Sequence, residues 1–301
     1  MKEFPLVYII ILNWNSCEDT TNCINSCREL TYPNFCIILI DNCSTDDSET
    51  RLRKRFPDIK FFQTGANLGY GGGNNLAIRY ALKQGAEFVW ILNPDVIVEK
   101  ISLGILIDAL NTNLSIGVCG PRIIDKNLKN GSYVVGLSIY PDNGYKSEYN
   151  ITEDRPTKML SNLLDVDSVN GCSMIVRSKL FHNIGLLRED FLLYYDDVEF
   201  NFRARKHGWR TVVCKQAAVV HISNLEKKNP SDWYYMDRNR ILLARMQKRF
   251  VLKTVIKLLF TDQLNELFKR RFFIKGPKYF LSRLICVLSG LLIPIRIIPR
   301  S

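Results

Sequence analysis

The chain carries nine cysteines but no C-x-x-C pair, so the spacing that builds zinc sites is absent. It lacks G-x-x-x-x-G-K-[ST], and no Gly-x-Gly-x-x-Gly follows its first apolar run, which argues against kinases, ATPases and dinucleotide-binding dehydrogenases. No signal peptide is expected, because Lys2-Glu3-Phe4-Pro5 leads straight into a strand-like run. Reduced thiols in the cytoplasm follow from that reading. Cys23 and Cys27, one helical turn apart, read as small core residues. A long apolar run is also missing. The longest uncharged stretch near the C-terminus, Leu284–Ile295, has twelve residues, against about 20 for a spanning helix. Acid is scarce in one region only. Residues 240–301 hold 14 Lys and Arg against two Asp and Glu, and this segment supplies the whole net charge of +11. A body that gripped nucleic acid would spread its basic residues more widely, so nucleic acid is not an expected partner.

What is present is a core-forming chain of 301 residues, 47% hydrophobic, in which strands and helices alternate. Val7–Leu12, Phe35–Ile40, Lys60–Gln63 and Phe88–Leu92 read as strands, and helices are expected between them. This spacing implies βαβ units, a mostly parallel sheet flanked by helices, and a Rossmann-like α/β class. The run Phe88–Leu92 is stopped by Asn93-Pro94-Asp95, because Pro94 cannot continue a central ladder. Asp95 therefore lies just past a strand end, where open α/β sheets collect ligands. Asn13 and Asp41 stand in equivalent places after the first two strands. Residues 122–167 are turn-rich and read as loops, with a hairpin near Tyr133–Ile139 and a mobile acceptor lid. Strand character resumes over Val169–Val176 with Gly171 inside it, a sign of close approach by a ligand or by backbone. A helix is expected from Asp196 to His207, and two short strands follow, Thr211–Val213 and Ala218–Val220.

The chemistry rests on a few side chains. Asp41 and Asp95 can accept from a ribose or base, or bind a hard cation; the competing reading is a pair of turn aspartates. Gly71-Gly72-Gly73 before a helix lets backbone approach a ligand, or is simply a flexible turn. Asp196 and Glu199 fit a capping box at a helix start, which leaves Asp197 over for catalysis. His221 ends an apolar run; an imidazole there suits a divalent site or a purely structural place.

Taken together the motifs resemble those of the family 2 glycosyltransferases with the GT-A fold, in the rhamnosyltransferase-like bacterial branch, over about residues 5–245. They are Asn13-Trp14-Asn15, Asp41-Asn42-Cys43-Ser44-Thr45-Asp46, Asn67-Leu68-Gly69-Tyr70-Gly71-Gly72-Gly73-Asn74 and Asn93-Pro94-Asp95. Asn170-Gly171-Cys172, Tyr195-Asp196-Asp197-Val198-Glu199 and Tyr234-Tyr235 with Arg238-Asn239 complete the set. The resemblance implies that Asn13, Asn15, Asp41, Asn42, Asn67, Gly69, Asn74, Asn93 and Asp95 hold the nucleotide and donor, with Asp41 on the base. It implies a divalent cation, Mg²⁺ or Mn²⁺, at Asp95 and His221. Asn170, Gly171 and Asp196 would then face the donor sugar and acceptor, and Asp197 would be the general base. Two motifs depart from the pattern: Asn93 replaces the first acid of D-x-D, and Asp196-Asp197-x-Glu199 replaces Glu-Asp-x-Asp. The implied reaction is an inverting transfer from a nucleoside-diphosphate sugar to an acceptor hydroxyl, on a lipid-linked saccharide in surface polysaccharide synthesis.

Two other classes stay open. A nucleotidyltransferase would share the sheet and the metal carboxylates, but its Gly-rich, Lys/Arg-containing signature is not what Asn13-Trp14-Asn15 supplies. A non-catalytic membrane-bound scaffold would tolerate loss of Asp197. The sequence divides into a GT-A catalytic domain, 1–240, and a basic amphipathic helical extension, 241–301. In the extension Lys248, Arg249, Lys253, Lys257, Lys269, Arg270, Arg271, Lys275 and Lys278 alternate with Leu258, Leu259, Phe260, Leu264, Leu267, Phe268, Phe272 and Phe273. Such helices lie in an interface and are drawn to anionic lipid, so the expectation is a peripheral protein on the cytoplasmic face of the inner membrane. The alternative is a helical pair packed on the catalytic domain; a homodimer also stays open.

Overall fold

The computed structural model describes residues 4–125, 128, 132–153, 162–222, 230–261, 272–296 and 298. Its first half is a run of βα units: β1 (Val7–Asn13), α1 (Cys17–Arg28), β2 (Phe35–Asp41), α2 (Ser48–Arg55), β3 (Lys60–Gln63), α3 (Gly69–Lys83) and β4 (Phe88–Leu92). β5 (Val96–Val98), α4 (Ser102–Thr112), β6 (Ile116–Asp125), β7 (Ser132–Tyr140), β8 (Lys146–Glu153) and β9 (Leu163–Asp165) follow. Then come β10 (Ser173–Arg177), α5 (Ser178–Ile184), α6 (Asp196–Lys206) and β11 (Arg210–His221). The chain ends in helices α7 (Pro230–Met246), α8 (Val251–Ile256), a π-turn (Lys257–Thr261) and α9 (Phe272–Leu292).

One sheet runs β3-β2-β1-β4-β10-β6-β11-β5. The parallel expectation holds for β3, β2, β1 and β4. Beyond β4 the sheet is mixed, because β10 enters antiparallel to both β4 and β6. Alternation along β1 and β4 sends side chains to both faces. Val7, Ile9, Ile11, Phe88, Trp90 and Leu92 join the layer that includes residues of α1, α2 and α4. Tyr8, Ile10, Val89 and Ile91 join the layer that includes residues of α3, α5 and α6. Both faces are covered, so β4 is buried along its whole length. Cys23 and Cys27 are core residues, as their spacing suggests.

The structure departs from the expected pattern in the middle of the chain. Residues 132–153 are not loops: the hairpin expected near Tyr133–Ile139 is present and longer, β7 pairing antiparallel with β8 on the end of β6. The apolar alternation of Tyr133, Val135, Leu137 and Ile139 is the reason, since all four are buried. The parts of the expected lid at 126–127, 129–131 and 154–161 lie outside the described residues. Gly171 precedes β10 in a turn and is not inside a strand. The two short strands expected after Gly208 are one strand, β11, with an irregularity between Cys214 and Ala218. Helix α7 runs through position 240, and Leu242, Leu243 and Ala244 are buried against Tyr145, Phe191, Tyr195 and Val198. Among the described residues no helix is long and apolar enough to cross a membrane.

Candidate active site

Parallel register places Asn13 beside Asp41 and Asp41 beside Gln63, in a row along the carboxyl edge of the sheet. Asp41 is fully buried. Its Oδ1 accepts from Asn13 Nδ2 at 2.7 Å and Ser44 Oγ at 2.6 Å. Its Oδ2 accepts from the Ser44 amide and Gln63 Nε2, both at 2.9 Å. A carboxylate offers about four acceptor sites, so this one is filled by protein donors. A nucleotide base would have to displace one of them. Asn15, at φ 52°, accepts the Thr45 amide at 2.7 Å and so fixes the loop after β2. Asn42 donates to Asn67 Oδ1 at 3.0 Å and accepts the Leu68 amide at 3.0 Å; Asn67 in turn accepts the Gly69 amide at 2.9 Å. Asn74 donates to the Tyr70 carbonyl at 2.9 Å, and its buried Oδ1 has no partner.

The glycines at the start of α3 serve packing in this structure. Gly69 has φ 72°, and a Cβ there would collide with the Leu192 carbonyl; at Gly71 it would collide with the Arg188 carbonyl. The close approach expected for a ligand is made by the protein's own backbone.

A cavity of about 440 Å³ lies beyond the end of β4. Seven of the residues singled out in the sequence line it: Asn93, Asp95, Asn170, Gly171, Asp196, Asp197 and His221. Asn13, Asn15, Asp41, Asn42, Asn67, Gly69 and Asn74 do not, and sit instead in the network beside it. The turn 170–172 ties the end of β4 to the start of α6. Cys172 accepts the Asn93 amide at 2.9 Å, and the Gly171 amide donates to Asp197 Oδ2 at 2.8 Å. Tyr70 Oη donates to the Gly171 carbonyl at 2.6 Å. A Cβ on Gly171 would lie 3.1 Å from Asp197 Oδ2, so the glycine makes room for this carboxylate. Asp197 Oδ1 accepts the Val198 amide at 2.8 Å. Backbone N–H donors to both oxygens orient the group.

The expected capping box does not form. Tyr195 is the residue before α6, in the left-handed region, and no side chain caps the helix. Glu199 is buried and paired with Arg203 at 2.9 Å, which also donates to the Ile184 and Leu186 carbonyls. The buried arginine holds Glu199 away from the helix start. Asp196 is buried, and its Oδ2 has no hydrogen-bond partner. Burial first, and the Asp197 charge second, push its carboxyl well above the usual range.

The loop before α6 is strained. Leu192, Tyr194 and Tyr195 all have positive φ, which costs about 1–2 kcal/mol at each non-glycine residue. Two neighbours on α7 hold it. Arg238 donates to the Asp190 and Phe191 carbonyls. Asn239 Nδ2 lies within 2.8–3.0 Å of the Phe191, Leu193 and Tyr194 carbonyls. The sequence flagged Arg238-Asn239 only as part of a motif. It gave no sign that Ser147 and Tyr149 of β8, or Met236 of α7, line the cavity.

In the same cavity His221 Nε2 stands 3.4 Å from Asp95 Oδ2. Pairing of β11 with β5 sets this, since His221 lies opposite Val96. Two donors bound to one ion at about 2.0–2.2 Å would be roughly 3–3.5 Å apart, so the pair fits two places on a shared cation. Among the described residues no group of three His, Cys, Asp or Glu side chains could hold an ion. Diphosphate oxygens and water would supply further ligands, as they do for Mg²⁺.

Residues 8–181 match glycosyl transferase family 2. The chain belongs to this family. It is 30% identical over 240 residues to the low-salt glycan biosynthesis hexosyltransferase Agl10 of Haloferax volcanii, covering 78% of this chain and 74% of that protein. It is 29% identical over 206 residues to an N-acetylglucosaminyl-diphospho-decaprenol L-rhamnosyltransferase of Mycobacterium tuberculosis, covering 62% of this chain and 66% of the relative. The fold is shared with GalNAc-T7, solved with UDP, GalNAc and Mn²⁺, at TM-score 0.66 and 14% identity. That match covers 81% of this chain and about half, 48%, of the GalNAc-T7 chain. This family 2 glycosyltransferase therefore has the GT-A architecture, and the mixed sheet beyond β4 is part of it.

Proposed function

We propose that the protein transfers a sugar, with inversion at the anomeric carbon, from a nucleoside-diphosphate donor to a hydroxyl of a lipid-linked saccharide. The observation that carries the reading is one cavity lined by the Asp95–His221 pair and by Asp197. The rhamnosyltransferase relative names a diphospho-decaprenol acceptor, which supports a lipid-linked substrate here. The nucleotide lies along the edge built by Asn13, Asn15, Asp41, Asn42, Asn67 and Asn74, with its diphosphate reaching Asn93 and Asp95. A divalent cation, Mg²⁺ or Mn²⁺, held by Asp95 and His221 would neutralise the charge that gathers on the leaving diphosphate.

Asp197 takes the proton from the acceptor hydroxyl as that oxygen bonds to the anomeric carbon. The bond from this carbon to the diphosphate oxygen breaks, and its electron pair leaves with the diphosphate. Gly171 and Val198 hold the base in place, and Asn170 and Asp196 face the sugars. The enzyme works as a peripheral protein at the cytoplasmic face of the membrane, in surface polysaccharide synthesis. The test is calorimetric titration of UDP, GDP and dTDP with and without Mn²⁺, on the parent and Asp95→Ala, followed by transfer from the matching sugar nucleotides. Metal-dependent binding of one nucleotide, weakened about 10–100-fold in the variant, is expected from the loss of a charged contact. Absence of metal-dependent binding for all three would sink the assignment.

A further inference from the structure

The C-terminal helices leave an apolar face without a partner among the described residues. α8 and α9 both pack on α7 through Ile241, Leu258 and Val287, with Val255, Leu259 and Leu291 around them. Their outward sides should then be polar. Instead Leu252 is 71% exposed, Ile256 48% and Phe260 57%, spaced four residues apart along α8 and the π-turn. On α9 Ile285 is 49% exposed, Leu288 47% and Leu292 76%, at helical spacing. Single exposed leucines need no explanation, but two stripes on adjoining elements do.

The charges beside these stripes say what covers them. Exposed Lys248, Arg249 and Lys253 adjoin the first stripe, and no Asp or Glu occurs between 240 and 261. The buried Arg283 and half-buried Arg245 are used inside the protein. Arg283 pairs with Asp237 at 3.2 Å and donates to the Leu258 carbonyl, and Arg245 donates to the Gly290 and Ile293 carbonyls. Thus the described basic residues split into internal struts and a group beside an apolar face. The side chains of 272–281, and residues 262–271, with most of the basic cluster named in the sequence, lie outside the description.

We propose that Leu252, Ile256, Phe260, Ile285, Leu288 and Leu292 form the face that seats on an anionic lipid surface, with Lys248, Arg249 and Lys253 at the headgroups. Leucine and phenylalanine enter the acyl boundary while the lysines meet lipid phosphate. The inference rests on the peripheral-membrane reading above and names the surface that does it. α7 lies between this face and the cavity, since its Met236 lines the cavity while Ile241 packs under α8 and α9. Docking would therefore hold the cavity close to a lipid-linked acceptor.

The experiment is flotation of the full chain with vesicles of equimolar phosphatidylglycerol and phosphatidylcholine, and with phosphatidylcholine alone. The parent should float with the anionic vesicles and lose them in high salt. L252E/I256E and L288E/L292E should each reduce bound protein by about tenfold or more, while a Leu164→Glu control, exposed on β9, should not. These positions are exposed, so folding is expected to persist and is checked by circular dichroism. If the parent does not float, the membrane reading itself fails. If the parent and both double variants float equally, the protein binds membranes by another surface and this face is wrong. If sedimentation shows a dimer that the variants break while vesicles go unbound, the face joins two copies of the chain, which also overturns the proposal.

Discussion

Asp41 and Asp196 are both buried carboxylates at element ends, yet one has four donors and the other a bare oxygen. Around Asp41 every neighbour is supplied by strand register or by the next few residues, and the network is complete without substrate. Around Asp196 the backbone is strained, the helix start has no side-chain cap, and the carboxyl sits beside a second acid. Unsatisfied buried groups and strain are costly, and they persist where function requires them. The contrast suggests a division of labour: the β1–β2–β3 edge is a finished scaffold, and the α6 start is where reacting groups are received.

The largest expected effect breaks the receiving side. Asp197→Asn should reduce turnover by about 10²–10⁴-fold, the usual range for a general base. Donor affinity should hardly change, because only the acceptor proton is concerned. Single-turnover rates with saturating donor, beside calorimetric donor binding, separate the two quantities. Collapse of donor binding with normal turnover per bound donor would make Asp197 a binding residue.

The next pair sets the two regions directly against each other. Asp41→Asn puts an amide NH₂ where two donors already point, and should cost about 1–3 kcal/mol of stability. Donor affinity should weaken, because the nucleotide is placed along this edge, while turnover per bound donor should stay normal in the folded fraction. Asn239→Ala removes the clamp on Leu193 and Tyr194, which hold the strained approach to α6. It should lower kcat at a temperature where the protein remains folded. Urea denaturation and kinetics at two temperatures tell them apart. If Asn239→Ala loses only stability, the clamp is structural and the division of labour fails.

Much of this architecture was legible in the chain. The strands β1, β2, β3 and β4 stand close to where apolar runs and Pro94 put them, because local propensity and burial agree there. Asp95, Asp197 and His221 were each visible as polar residues at the end of an apolar run or the start of a helix, and the structure gathers them at one cavity. The rest depended on distant partners. Nothing local shows that Gln63 will donate to Asp41, since register decides it. Positive φ at Leu192, Tyr194 and Tyr195 leaves no compositional mark, because glycine is absent from those positions. Gly71-Gly72-Gly73 read as a ligand cradle, yet the Arg188 carbonyl and the Leu68 and Leu12 side chains fill the space. The capping box between Asp196 and Glu199 was a sound local motif, overridden by a buried arginine four residues further on.

The smallest effect tests the bare oxygen itself. Asp196 binds its proton more tightly in the folded state than the ordinary carboxylate value of about 4, because burial and Asp197 disfavour its charge. Between that ordinary value and the raised one, the native chain holds more proton than the unfolded chain. Stability contributed by this site is therefore present at low pH and declines as pH rises, by at most about 1.4 kcal/mol per pH unit. Asp196→Asn has a neutral side chain of the same shape and lacks this dependence. Urea midpoints for parent and variant, followed from pH 5 to pH 8 (roughly the range of greatest stability), should diverge in the variant's favour as pH increases. Groups that titrate independently of Asp196 are common to both proteins and cancel in the difference; Asp197, whose charge acts on Asp196, is part of the effect measured. Parallel curves would mean that Asp196 ionises in the folded state much as it does in the unfolded one. The contrast with Asp41 would then be one of hydrogen bonding alone.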